Sequence, residues 1–170
     1  MILRWIRPIR FLVEGIVAAD TPRQLALGLA LGMIIGLVPK GNLTAIALSM
    51  ILLATRVNLA TGLLGAALFS WLNGWTDPLA HRVGYALLTH EPLRPLFAWF
   101  FALPVVPWMA LNNTVVFGSL LLGIWLFWPV YHLGHRGFER LQPRVAAVLE
   151  RYRMSNVLAG AELAARWRAQ

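Results

Sequence analysis

Cysteine is absent from this 170-residue sequence, and acidic residues are few, at seven against 15 basic ones. The missing thiols exclude disulfide bonds, thiolate ligands and cysteine nucleophiles. No two acids have a spacing suited to general acid–base catalysis, and no serine lies in a nucleophile motif. We therefore expect no catalytic residue, no cofactor and no enzymatic activity.

Charge of either sign is scarce as well. Charged residues make up 13% of the chain and hydrophobic residues 59%, and the mean hydropathy is +0.66. Globular domains carry about 25% charged residues. A soluble fold of this length could not hide so much apolar surface. The composition predicts an integral membrane protein with an all-α fold, a polytopic helical bundle.

The basic residues are arginines with one exception, Lys40, and they concentrate near the two ends of the chain. This distribution predicts that both termini are cytoplasmic and that the protein is a multi-pass protein of the bacterial inner membrane. Membrane lipids are the expected partners of the basic ends. Nucleic acid is not an expected partner, because no recognition motif accompanies the charge.

The pattern along the chain divides it into three regions. Residues 1–19 place apolar side chains at helical spacing between arginines, which predicts an amphipathic helix in the headgroup plane. Residues 20–128 form the predicted membrane domain. Residues 129–170 form an amphipathic cytoplasmic tail, in which Ser155-Asn156 is expected to interrupt the helix.

Two short apolar runs, 22–38 and 43–55, stand at the start of the membrane domain. They reach roughly 20–25 Å, below the ~30 Å of the hydrocarbon layer. Pro39 and Gly41 predict a tight turn between them. We favour a re-entrant helical hairpin that returns to the side it entered. Two ordinary spans in a thinned membrane are the alternative.

Two longer apolar segments, 59–75 and 109–128, are the predicted full spans. Asn58 is a suitable N-cap for the first, and Pro129 marks the expected end of the second. With the hairpin they give an even number of crossings, which agrees with two cytoplasmic ends.

Lys40 is the main candidate for a functional residue. In a re-entrant turn its ammonium would lie within the membrane, where ionisable groups are costly and usually functional. It would stand at the N-terminus of the helix that begins after Asn42, where free N–H groups attract anions. Lys40, Asn42 and Thr44 are thus a candidate anion or lipid-phosphate site. If the turn emerges on the far side, Lys40 is only a snorkelling anchor.

Gly28, Gly32 and Gly36 recur at every fourth position. Small residues at this spacing let membrane helices approach closely. They predict tight packing within the hairpin or a homo-oligomer face. The residues expected to face them in the second run are Ala45, Ala47 and Ser49.

Two further sets of polar residues carry weaker signals. His132, His135 and Glu139 have a spacing that allows metal binding, but Gly134 and Gly137 make a continuous helix doubtful there, and we predict no metal site. A scatter of amides and hydroxyls either caps helices or lines a conduction path. It consists of Asn58, Thr61, Asn73, Asn112, Asn113, Thr114 and Ser119.

A Thr21-Pro22 helix start, a Gly32…Gly36…Pro39-x-Gly41 turn and an Arg56-Val57-Asn58-Leu59 helix opening occur in order within residues 21–71. In these features the segment resembles a DUF2062 domain, and the turn 39–42 is similar to that of a small conserved-hypothetical subfamily. The resemblance implies a bacterial inner-membrane location and no catalytic residues. Glycosyltransferase domains carried by some relatives point towards envelope or glycolipid work.

Taken together, the sequence leads us to expect a non-enzymatic inner-membrane protein that assists envelope lipid or glycolipid transport. It would act with a partner protein or as a homo-oligomer. A small oligomeric transporter or channel is one alternative. A membrane scaffold that recruits a partner through its C-terminal helix is another.

Overall fold

The computed structural model describes the backbone of residues 21–168 and the side chains of residues 21–147. The predicted amphipathic helix at 1–19 lies outside this part of the chain. The described residues are helical, with no strand among them, and their elements follow in this order: α1 (Pro22–Leu37), α2 (Leu43–Ala54), α3 (Leu59–Leu88), a 3₁₀ turn (Glu91–Leu93), α4 (Arg94–Phe101), α5 (Val106–Met109) and α6 (Thr114–Arg168).

The starts of the first helices are set by capping side chains. Thr21 and Gln24 form a reciprocal capping box at α1, and Asn42 accepts a bond from the N–H of Ala45 at α2. Gly41, between these helices, has a φ of 89°, a conformation that residues with a Cβ rarely adopt. The ends of α1 and α2 fall within one residue of the predicted ones.

α1 is the centre of the fold. It packs along α3 and α6, and most of its side chains are buried, among them Leu25, Met33 and Leu37. It runs parallel to α3, because Gly28 meets the start of α3 at Asn58 while Gly36 meets Phe69 further along. It runs antiparallel to α6. The intervening α2 therefore carries the chain back, so that α3 begins beside the beginning of α1.

The two longer helices do not end where the sequence predicted, at Trp75 and before Pro129. α3 continues beyond Trp75 and through Pro78 to Leu88, and α6 continues through Pro129. A helix-interior proline removes one backbone hydrogen bond. Packing beyond it compensates for that loss: Gly84 lies against Thr114, and Val130 packs on the buried side chains of α1. The start of α6 also differs, since it begins at Thr114 and not at Met109.

The C-terminal part of α6 is one continuous helix. It passes through Gly134 and Gly137 without a break and through Ser155-Asn156, where we expected an interruption. Serine and asparagine lower helix stability by less than about 0.7 kcal/mol each relative to alanine, which is too little to stop a long helix. Gly134 lies in van der Waals range of Ala26 on α1.

Within the described residues, α6 is the one helix that is long and apolar enough to cross a membrane, while α1 and α2 are apolar but shorter. The fold is thus all-helical with one candidate span. α3, which contains the predicted span 59–75, is not among the candidates. Large apolar side chains are nevertheless exposed on α3, notably Trp71 and Trp75.

Candidate functional site

The turn between α1 and α2, residues 39–42, is flanked by the segment that follows α3. Val38 and Ala45 on either side of the turn form a buried cluster with Leu111 and Val116, and side chains of α4 and α5 pack against it. The Thr44 hydroxyl donates to the Met109 carbonyl at 2.7 Å. This segment therefore packs against one side of the turn, whose tip residues Lys40 and Gly41 are exposed, while α3 continues past it.

Lys40 completes the C-terminal end of α1. Its ammonium donates to the carbonyl oxygens of Ile35, Gly36 and Val38 at 2.5, 3.2 and 2.9 Å. An ammonium group has three protons, so these bonds use all of its donors. The carbonyl end of a helix carries a partial negative charge, which favours a cation. The sequence suggested that Lys40 stands at the N-terminus of α2. In the structure its ammonium interacts instead with the C-terminal end of α1.

Asn42 and Thr44 are also engaged within the fold. The Asn42 side chain accepts from the N–H of Ala45 and donates to the Pro39 carbonyl at 2.8 Å, and Thr44 bonds Met109. The structure therefore brings the three candidate residues to the same end of the hairpin but directs each into a separate internal bond. Their role in binding an anion stays a prediction.

Two residues of α3 that sequence reasoning did not assign to this site complete the same helix end. The Ser70 hydroxyl donates to the Gly36 carbonyl at 3.4 Å. With its amide nitrogen facing α1, Asn73 donates to the Leu37 carbonyl at 2.8 Å and to the Asp77 carboxylate at 3.0 Å. The last carbonyls of a helix have no N–H donor within the helix itself. Here the carbonyls of residues 35–38 all accept hydrogen bonds from the side chains of Lys40, Ser70 and Asn73. A signal was present, because Ser70, Asn73 and Asp77 lie on one helical face.

The glycines of α1 are packing residues, but their partner is α3 and not α2. A Cβ at Gly28 would overlap the Asn58 carbonyl oxygen, and one at Gly32 would overlap that of Gly62. A Cβ at Gly36 would lie 2.6 Å from the Cβ of Phe69. Ala45, Ala47 and Ser49 do not face these glycines. The small residues thus serve the parallel α1–α3 contact.

The scattered polar residues mostly cap helices or join them. Asn58 caps α3, Thr61 donates to the Leu25 carbonyl at 2.9 Å, and Asn113 caps α6. His81 and Thr114 share a hydrogen bond of 2.6 Å between α3 and α6. Ser119 is buried without a hydrogen-bond partner. These positions are distributed over separate helix ends and contacts.

The histidines of α6 are held by their own helix. His132 bonds the Trp128 carbonyl at 2.8 Å, and His135 lies 3.6 Å from the Glu139 carboxylate. Among the described residues, no group of three histidine, aspartate or glutamate side chains is placed to hold a metal ion.

An open apolar groove of about 510 Å³ lies between α3 and α6, and the sequence analysis did not identify it. Its walls carry hydrocarbon and indole groups, from Val83, Leu87, Leu121, Leu122, Ile124 and Trp125. The sequence signal for it was one i, i+4 pair of apolar residues on each helix, Val83 with Leu87 and Leu121 with Trp125. The local sequence does not indicate that these faces of α3 and α6 pack beside each other.

Comparisons with known proteins give one family and one relative. The DUF2062 family, described as an uncharacterized protein conserved in bacteria, matches residues 6–146. An uncharacterized protein of Treponema pallidum (strain Nichols) is 27% identical over 128 residues, which cover 75% of this chain and 79% of the relative. No solved structure matches the chain.

Proposed function

The chain belongs to the DUF2062 family of uncharacterized bacterial proteins, and on that premise we propose that it is a non-enzymatic, multi-pass protein of the inner membrane that assists envelope lipid or glycolipid transport. In this proposal it holds a lipid chain in the groove between α3 and α6 and acts with a partner protein.

The length of the uncharged part of α6 supports the membrane location. Residues 114–135 contain no Asp, Glu, Lys or Arg. At 1.5 Å per residue they extend about 33 Å, close to the ~30 Å of the hydrocarbon layer. The large apolar side chains exposed on α2 and α3, such as Met50, Leu53 and Leu68, would face lipid in this setting.

Helix directions support a common side for the two ends of the chain. Gly134, near the end of the uncharged part of α6, lies against Ala26 at the start of α1. The basic segments before α1 and after residue 135 would therefore leave the bundle at the same end. By the positive-inside rule that end is cytoplasmic.

The position of the turn supports a re-entrant hairpin. The Leu37 carbonyl at the end of α1 is bonded by Asn73, and α3 continues 15 residues further to Leu88, which is about 22 Å. Side chains from residues 100–111 pack against Val38 and Ala45 on one side of the turn, and Val38 packs beside Val116 in the first turn of α6. In this arrangement the turn lies level with the first turns of α6, towards the far side of the membrane, and α1 and α2 return from there without extending to the far end of α3.

The groove is the observation that carries the lipid proposal. Its lining is almost entirely apolar, and it is open on one side. Leu121 and Leu122 lie one to two turns into the uncharged part of α6, which is the depth of acyl chains. A site of this chemistry favours a hydrocarbon chain and offers no group for catalysis.

Photocrosslinking of the full-length protein in proteoliposomes tests whether the groove holds a lipid chain. We expect a phospholipid with a diazirine in its acyl chain to label peptides of the groove preferentially. Val83→Trp should fill the groove and lower that labelling several-fold, because a bulky indole replaces the space of the bound chain.

Ile46→Trp is the matched control, because Ile46 is 56% exposed on α2 and does not line the groove. It should leave the labelling of the groove unchanged. Labelling spread evenly over the exposed apolar surface, with the same pattern in both variants, would rule out a lipid site in the groove.

The continuity of α6 favours one second candidate, a membrane scaffold. The helix runs from the membrane segment to Arg168 without interruption, so its C-terminal part would present a rigid basic surface. Deletion of residues 141–170 should then abolish recruitment of a partner without changing lipid crosslinking in the groove. Retained recruitment would exclude this candidate. The polar residues that suggested a channel serve caps and helix contacts, and no observation favours that alternative.

A further inference from the structure

A row of arginines follows the uncharged part of α6. Arg136, Arg140 and Arg144 recur at every fourth position, and their side chains are exposed. Residues four apart lie on one helical face, one turn above each other. None of the three pairs with a carboxylate among the described side chains, and the nearby Glu139 faces His135. The row therefore offers unpaired positive charge along one face.

The row lies where the helix would leave the membrane. It begins at the first charged residue after residues 114–135. The turns just before it carry packed aromatic rings, including Trp128, Tyr131 and His132. Aromatic side chains followed by arginine are typical of the interface between hydrocarbon and headgroups.

Depth separates the three arginines. The headgroup region adds roughly 5–8 Å on each side of the hydrocarbon layer. With His135 at the boundary and a rise of 1.5 Å per residue, Arg136 lies about 2 Å, Arg140 about 8 Å and Arg144 about 14 Å outside it. Arg136 and Arg140 are thus level with lipid phosphates, while Arg144 stands beyond them.

We propose that Arg136 and Arg140 bind the phosphate groups of anionic phospholipids where α6 leaves the membrane. A guanidinium donates two parallel hydrogen bonds to phosphate oxygens, and it carries its charge at every physiological pH. This inference rests on the membrane-crossing orientation of α6 in the proposed function, and it does not depend on the groove.

The absence of cysteine allows a local test in the full-length protein. A Cβ at Gly137 would meet no atom within 4 Å, so Gly137→Cys can carry a fluorophore beside the row. The labelled protein is placed in proteoliposomes that contain lipids with a nitroxide on carbon 5 of the acyl chain. Quenching by nitroxide phosphatidylglycerol is compared with quenching by nitroxide phosphatidylcholine.

We expect the anionic lipid to quench at least about twofold more effectively at low salt, since each basic residue near the surface adds to its attraction. Arg136→Gln should remove most of this preference, Arg140→Gln less and Arg144→Gln least. Arg136→Lys should retain part of it. Arg94→Gln, an exposed arginine at the start of α4, should change nothing.

Each other outcome is decisive. Equal quenching by the two lipids would overturn the proposal while leaving the groove untouched, and would assign the row to an acidic protein surface. A largest effect at Arg144 would overturn the depth assignment and with it the phosphate contacts. No quenching by either lipid would place residue 137 away from the bilayer, and the orientation of α6 in the proposed function would then fail as well.

Discussion

Lys40 binds the carbonyl end of α1. Its ammonium bonds three carbonyls of the helix that precedes it. A lone lysine beside a short apolar helix indicated a buried charge. It did not indicate whether the charge meets the positive end of the following helix or the negative end of the preceding one.

Replacing Lys40 should destabilise the fold. Lys40→Met keeps the apolar stem but leaves the carbonyls at the end of α1 without their donor. We expect the free energy of unfolding to fall by about 1–3 kcal/mol, the range for a charge-assisted hydrogen bond in a partly exposed site. Denaturant unfolding in detergent, followed by tryptophan fluorescence, measures it.

Arg56→Met provides the comparison, because Arg56 is an exposed cation that makes no hydrogen bond or ion pair with the described side chains at 21–147. Its effect should stay within about 0.5 kcal/mol, as for most surface substitutions. Equal losses in the two variants would show that Lys40 acts through its charge alone and not through the carbonyl bonds.

Ala110 carries backbone strain. Its φ of 55° lies in the left-handed region, in the segment that packs beside the hairpin turn. This conformation costs a residue with a Cβ roughly 1–2 kcal/mol. Ala110→Gly should therefore raise the free energy of unfolding by up to about 1 kcal/mol, after the added flexibility of the unfolded chain is subtracted.

The same substitution should have the opposite sign inside a regular helix. Ala47→Gly in α2 should lower stability by about 0.5–1 kcal/mol. Both variants are measured by the same denaturant midpoint. If Ala110→Gly lowered stability, the prediction would be wrong. The packing of the Ala110 methyl group would then stabilise the fold by more than its left-handed conformation costs.

At the scale of elements, the contact between α1 and α3 depends on glycine. Gly32→Ala places a methyl group against the Gly62 carbonyl, and backbone atoms cannot give way as a flexible side chain can. We expect a loss of about 1–3 kcal/mol or a separation of the helices, as for other overpacked sites. Thermal unfolding in detergent measures the change.

Gly74→Ala is the control within α3, because a Cβ there meets nothing within 4 Å. Removing a helical glycine should stabilise by about 0.5–1 kcal/mol. If Gly32→Ala were also stabilising, the parallel contact of α1 and α3 could not be as close as described.

The starts of α1, α2 and α3 were predictable from the sequence, while the start of α6 and the ends of α3 and α6 were not. Thr21, Asn42 and Asn58 each bond an N–H of the following turn, an effect contained within four residues. The ends predicted at Trp75 and Pro129 were wrong, because side chains of other helices hold α3 and α6 in helical form beyond those residues. That information lies in α1 and α6 and not in the local sequence.

At the scale of the whole molecule, the sequence did not indicate which helices pack against each other. The glycines at every fourth position indicated a close contact, but nothing in that spacing distinguishes α2 from α3. The groove was missed for the same reason. Contacts between residues more than 30 positions apart, such as Thr61 with Leu25, follow from the return of the chain through α2.

Accessibility of single cysteines in inverted and right-side-out vesicles should report the topology. Lys40→Cys should react slowly with an impermeant thiol reagent from either side, because a re-entrant turn remains within the bilayer. Gly137→Cys should react from the cytoplasmic side, and Glu91→Cys, in the exposed 3₁₀ turn, from the periplasmic side. Fast periplasmic labelling at position 40 would contradict a re-entrant hairpin.

The unbroken α6 has a mechanical consequence. Its 33 residues from Arg136 to Arg168 form an arm about 50 Å long that is continuous with the part packed on α1 and α3. A tilt of about 10° in the packed part would swing the far tip by roughly 9 Å, provided that the helix stays straight. Small repacking inside the bilayer would thereby become a displacement large enough for another protein to sense.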